Sequence, residues 1–109
     1  MAITSSQVTT SGNPPVQVYE SQGQNAITSM MFCNTTTNQT VNIDIYVVSD
    51  ASGFAPGPQT QILKAIPIPP EETFVMDTEK FILEDLDGVY VRADVPNAIT
   101  VTVSSVSTA

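Results

Sequence analysis

From Val41 to Val47 the chain alternates without a break. Val41, Ile43, Ile45 and Val47 fall on one face, and Asn42, Asp44 and Tyr46 on the other. Period two is the pattern of a half-buried β-strand, whereas an amphipathic helix repeats its apolar positions every three to four residues. The pattern returns at Val89, Val91 and Ala93 against Tyr90, Arg92 and Asp94. It is cleanest at Ile99, Val101 and Val103 against Thr100, Thr102 and Ser104. No stretch carries a sustained helical period, so an all-β chain is expected.

The run before Asn34 is apolar on both faces, with Ile27, Met31 and Cys33 on one and Met30 and Phe32 on the other. Such a run predicts a central strand covered on both sides. Residues 35–40 are Thr and Asn rich, and the unit from Ile27 to Ser49 is expected to be a β-hairpin with a polar loop. Further strands are expected at Val16–Glu20, Gln61–Ile68, Thr73–Asp77 and Phe81–Glu84. Pro67, Pro69 and Pro70 put the end of the Gln61–Ile68 strand at a sheet edge, since proline donates no ladder hydrogen bond. Thr78–Lys80 is a short connection with room for one helical turn. Asp87-Gly88 is a hairpin signal.

Residues 1–15 are mostly Ser, Thr, Gln, Asn and Gly and close on Pro14-Pro15, which predicts a flexible arm, extended or partly disordered. Two roles stay open for it: a strand added to a neighbour's sheet edge, or a frayed end. Residues 16–109 then make one domain of seven to eight short strands. The expected architecture is an antiparallel β-sandwich, immunoglobulin-like or jelly-roll, with a small barrel as the alternative.

Composition narrows the chemistry. Eleven Asp or Glu stand against three Lys or Arg, a formal net charge of -8, which repels a phosphate backbone or an anionic membrane surface. Neither nucleic acid nor membrane is expected as a partner. The chain has no His, which removes Ser-His triads, most zinc sites and histidine general bases. Its single cysteine, Cys33, permits no internal disulfide and sits in an apolar strand, where a thiol is a small hydrophobe. Residues 1–8 lack the basic and apolar regions of a signal peptide, so synthesis in a cytoplasm is expected. No catalytic residue, cofactor or metal is expected, and an enzyme is not the reading.

Several residues still require a decision. Glu84, Asp85 and Asp87 beside Gly88 are the one cluster resembling a calcium site, but without the EF-hand spacing they fit a solvated turn better. Asn34-Thr35-Thr36 and Asn38-Gln39-Thr40 match the glycosylation acceptor pattern by chance in a Thr-rich loop. Phe54, on a Gly/Pro loop, either tucks under that loop or contacts another subunit. Tyr46, Phe54, Tyr90 and the Asp85–Asp87 turn are the residues a carbohydrate- or cell-surface-binding module would use, the alternative function here.

The outward row Thr100, Thr102 and Ser104 belongs to a surface unusually poor in charge, since only 13% of residues are charged. Hydroxyl and amide groups desolvate more cheaply than ions, so this surface suits packing against copies of the chain or a partner. Met31-Phe32-Cys33-Asn34, the strand to Val48, the segment from Pro67 through Glu72 to Glu84, and the Val/Thr/Ser strand near the C-terminus together resemble small virion structural proteins of tailed bacteriophages, of the marine phage and cyanophage type. The likeness covers roughly residues 27–104 and is one of strands and turns, so it transfers no catalytic residue. It implies a β-sandwich present in many copies at the capsid, neck, tail or baseplate of a virion, partnered by phage proteins and its own symmetry mates.

Overall fold

The computed structural model of the chain describes residues 2–9, 15–49, 61–76 and 81–107. Nine strands form among them: β1 (Ala2–Val8), β2 (Val16–Glu20), β3 (Asn25–Asn34), β4 (Val41–Val48), β5 (Gln61–Ile68), β6 (Thr73–Met76), β7 (Phe81–Leu83), β8 (Gly88–Ala93) and β9 (Ile99–Ser107). They make two antiparallel sheets packed as a sandwich. The larger runs β1-β9-β3, with β6 and β7 both on the far edge of β3; the smaller runs β2-β8-β4-β5. The expected all-β sandwich is the observed fold.

The pairing is nested. β4 pairs with β5, β3 with β6 and β7, β2 with β8, and β1 with β9. Successive pairs alternate between the two sheets, which is the wrapped long hairpin of a jelly roll. The inner faces supply one core. Val8, Ile27, Met30, Phe32, Ile99, Val101 and Val103 come from the larger sheet and meet Val18, Val41, Ile43, Ile45, Val89 and Val91 of the smaller. Complete burial of such side chains is worth roughly 1.5–3 kcal/mol each.

Three expectations are corrected. First, Ile27–Ser49 is not a hairpin. β3 and β4 lie in different sheets, and residues 35–40 cross between them. A polar Thr/Asn loop serves a hairpin or a crossing equally well, and period two says nothing about which strand is the neighbour. The hydrogen-bonded neighbour of β4 on its outer side is β5, from Val41↔Ile68 to Tyr46↔Gln61, and β5 is an edge strand as its prolines require.

Second, most of the expected arm is a strand. Ala2–Val8 pairs with β9 along its whole length, from Ala2↔Ser105 to Val8↔Ile99. Val8 is fully buried, and the Ser6 hydroxyl donates to the Val18 carbonyl oxygen at 3.3 Å. Among residues 3–9 Val8 is the one buried side chain, so backbone bonds to β9 hold this strand and its composition could not reveal it. Residues 10–14 lie outside the described residues.

Third, Asp85-Leu86-Asp87-Gly88 is not a hairpin turn, because β7 and β8 belong to different sheets. The left-handed position is Leu86, at φ +70, while Gly88 is a close approach: a Cβ there would stand 2.7 Å from Gln17 Nε2. A left-handed non-glycine residue costs about 1 kcal/mol or more, and Leu86 is exposed. Leu86→Gly is therefore expected to raise stability by about 0.5–1 kcal/mol after the entropic cost of glycine, read as a Tm about 3 °C higher.

Candidate interaction site

The bulges decide what each face presents. A register shift between Ile27 and Ser29 places Ile27 with Met30 and Phe32 in the core and turns Met31 and Cys33 outward. β3 is central in its hydrogen bonding, yet Met31 is 40% exposed. On the second apolar face, which the sequence predicts to be covered, Met31 is exposed and Cys33 partly so.

Charge separates between the sheets. The strands of the smaller sheet carry Glu20, Asp44, Lys64 and Arg92, one on each. The five strands of the larger sheet carry none. Across the larger sheet Ser5, Thr102, Met31 and Val75 form one outward row, Gln7, Thr100, Cys33 and Thr73 a second, and Ile3, Ser104 and Ser29 a third. Val106, Ala26 and Ile82 form a fourth. Ile3 and Ile82 are 70% and 67% exposed. Thr100, Thr102 and Ser104, singled out from their alternation, all lie on this neutral face and are half-buried.

The other predicted contact residues lie elsewhere. Tyr46 and Tyr90 are register partners on the opposite, smaller sheet, so the set expected to act together is split between two faces. Tyr46 keeps its place on the outer face but is only 4% exposed, which corrects its expected exposure and leaves its ring almost no free surface for stacking. Phe54 lies outside the described residues.

Beside that tyrosine pair, Asp44 is buried and holds two elements at once. Its Oδ1 accepts the Ala65 N–H at 2.7 Å, and its Oδ2 accepts Arg92 Nε at 2.9 Å and also Arg92 Nη2. Ala65 sits at φ +53, so the carboxylate holds a strained bulge of β5 in place. Asp94 in turn accepts the Asn42 N–H at 3.0 Å and Asn42 Nδ2 at 3.1 Å. With Lys64 these residues line an open cleft of about 230 Å³. Asp44 with Arg92 and Ala65, and Asn42 with Asp94, bind one another and fix how β4, β5 and β8 meet. Asp44→Ala is expected to cost about 2 kcal/mol in denaturant unfolding, because Arg92 is only partly exposed and the Ala65 N–H loses its acceptor. An Asp44→Ala, Arg92→Ala double variant should lose less than the two single losses combined.

The acidic turn is likewise structural. Asp85 Oδ1 accepts the Gly23 N–H at 2.8 Å, and Asp87 Oδ2 accepts the Glu84 N–H at 2.9 Å. Among the described residues no three His, Cys, Asp or Glu are grouped to hold a metal ion, and no helix is long and apolar enough to cross a membrane.

Sequence reasoning missed the role of Asn34. Its side chain is fully buried at the end of β3, and it makes four hydrogen bonds. Nδ2 donates to the carbonyl oxygens of Gln39 and Ile68, each at 2.8 Å. Oδ1 accepts the Thr36 N–H at 2.9 Å and the Thr36 hydroxyl at 2.7 Å. Asn34 thus ties the crossing from β3 to β4 to the end of β5, and its burial closes it to glycosylation in the folded chain. The one available signal was an amide ending an apolar run just before a Thr-rich loop. Compared with known proteins, the chain matches no family model, no curated protein and no solved structure.

Proposed function

We propose that the chain is a non-enzymatic structural subunit of a virus particle, present in many copies and working through protein–protein contacts. The observation that carries this reading is the five-stranded sheet without a charged residue, in a chain of net charge -8, with Ile3, Met31, Val75 and Ile82 exposed on it. A surface that gives up solvating charge over a whole sheet face is suited to burial, since hydroxyl and apolar groups desolvate at low cost. The jelly roll adds support by analogy, because viral capsid domains often use it, though lectins use it too. The resemblance of residues 27–104 to small virion proteins of tailed bacteriophages points the same way and suggests phage proteins as partners.

The test is quantitative mass spectrometry of gradient-purified phage particles that encode this chain. The expected result is many copies per particle, in fixed ratio to the major capsid or tail protein. A chain confined to the lysate and missing from washed particles would remove the proposal.

A further inference from the structure

We infer that the outer face of the larger sheet docks against the same face of a second copy of this chain, as a two-fold, sheet-on-sheet pair. This deepens the particle-subunit reading and rests on it for its biological setting, but it follows from three observations of its own.

The first is the distribution of charge. Copies of a chain with net charge -8 repel one another. Contact through the smaller sheet would have to desolvate Glu20, Lys64 and the Asp44–Arg92 ion pair on its strands and Asp94 beside them, and contact through the turns would bring Glu71, Glu72, Glu84, Asp85 and Asp87 toward their counterparts. The strands of the larger sheet bring no charge. Among the described strands, those of this face desolvate no ionised side chain when two copies meet. A partner chosen by charge complementarity would instead seek the acidic surfaces.

The second is the pattern of β3. Its residues are apolar on both sides, and Phe32 is completely buried while neighbouring Met31 is 40% exposed. Met31 keeps apolar surface that a partner would cover. A second β3 supplies the same apolar stripe in return, which is the self-complementarity a two-fold contact requires.

The third is size. The exposed rows span four strands at about 4.8 Å spacing and four alternate positions at about 6.7 Å, so the face covers about 500 Å² once its rims are included. Two such faces bury about 1,000 Å², the size at which specific interfaces begin. The Ser and Thr hydroxyls, each donor and acceptor, pair with their own kind across the contact.

Sedimentation equilibrium of the native chain from about 1 μM to about 1 mM, near physiological salt, tests the inference. The expected result is a reversible monomer–dimer equilibrium within that range. Met31→Glu places a carboxylate from each copy in the contact and is expected to raise Kd by at least about 100-fold while leaving the circular dichroism spectrum unchanged. Gln17→Glu, exposed on the smaller sheet, adds the same charge elsewhere and is expected to change Kd by less than about 3-fold. Cys33, on the same face as Met31, gives a measurement on the unaltered chain: its rate of thiol modification should fall as the dimer forms.

A monomer at every concentration overturns the inference, as does a dimer indifferent to Met31→Glu but weakened by Gln17→Glu. So does a Cys33 rate that does not change across the dimer transition. If the chain proves monomeric alone yet is found in washed particles, the self-pairing fails and the particle-subunit reading stands. If it dimerises through this face but is missing from particles, the reverse holds.

Discussion

Asn34→Ala is expected to lower the unfolding free energy by about 3–4 kcal/mol, among the largest effects of any single polar substitution in this chain. The amide is completely buried and saturated, with two donations and two acceptances in the crossing from β3 to β4. Alanine removes them together, taking a donor from the Ile68 carbonyl oxygen in a buried bond and the acceptor from the part-buried Thr36 N–H, while the exposed Gln39 carbonyl oxygen keeps the Thr36 hydroxyl. Each buried group left unpaired costs about 1–3 kcal/mol, and some of this is recovered where water reaches the loop. Against a total of about 5–15 kcal/mol for an ordinary domain, the loss is severe. Asn34→Asp keeps the shape but loses both donors and sets a carboxylate against two carbonyl oxygens, so it should be at least as damaging at neutral pH. Urea unfolding decides the matter: the midpoint should fall by more than about 1 M with an unchanged m value. A loss below about 1 kcal/mol would mean that the crossing holds without Asn34.

Phe32→Ala is expected to cost about 3–5 kcal/mol, and Met31→Ala, one residue earlier, less than about 1 kcal/mol in the monomer. Phe32 is completely buried, with its ring centroid 6.0 Å from that of Phe74 at an angle of 35°. Its removal leaves a cavity between two sheets that cannot close over it, and forfeits a tilted aromatic contact worth about 1 kcal/mol. Met31 has its other side in water and leaves no cavity. The contrast tests the register shift between Ile27 and Ser29, because that bulge sets which residue of the pair points inward. Equal losses at the two positions, measured by denaturant unfolding at low concentration, would show that the faces of β3 are wrongly assigned. At concentrations where copies pair, Met31→Ala should acquire an additional, concentration-dependent loss.

Where an alternating run met a single buried surface, the sequence was an accurate guide. β9 places Ile99, Val101 and Val103 inward and Thr100, Thr102 and Ser104 outward, as its alternation predicts. β4 follows its pattern less fully. Asp44 is buried although it lies on the polar face, since it holds Arg92 and the Ala65 N–H, and Tyr46 beside it is buried as well. A polar side chain on an outward face is legible as outward, but whether neighbouring strands bring it a partner is not. β1 was illegible for a different reason. Its Ser, Thr and Gln residues, with Ile3 exposed, offer one buried side chain, Val8, and pairing with β9 makes it a strand.

The neutral face was legible in part. The hydroxyl row on β9 and the doubly apolar β3 were both visible along the chain, yet nothing in their spacing said that they lie side by side. Nor could spacing separate them from Tyr46 and Tyr90, which the fold carries to the opposite sheet.

The order of side chains along the chain determined the class of this protein: all-β, in short strands with one face inward, because period two is a local property of extended backbone. Which strands became neighbours, and which faces were left uncovered, was decided only in the folded molecule. Backbone hydrogen bonds between strands carry no side-chain label. Their pairing is chosen by how a buried amide, a few bulges and the shared core let the nested hairpin close upon itself.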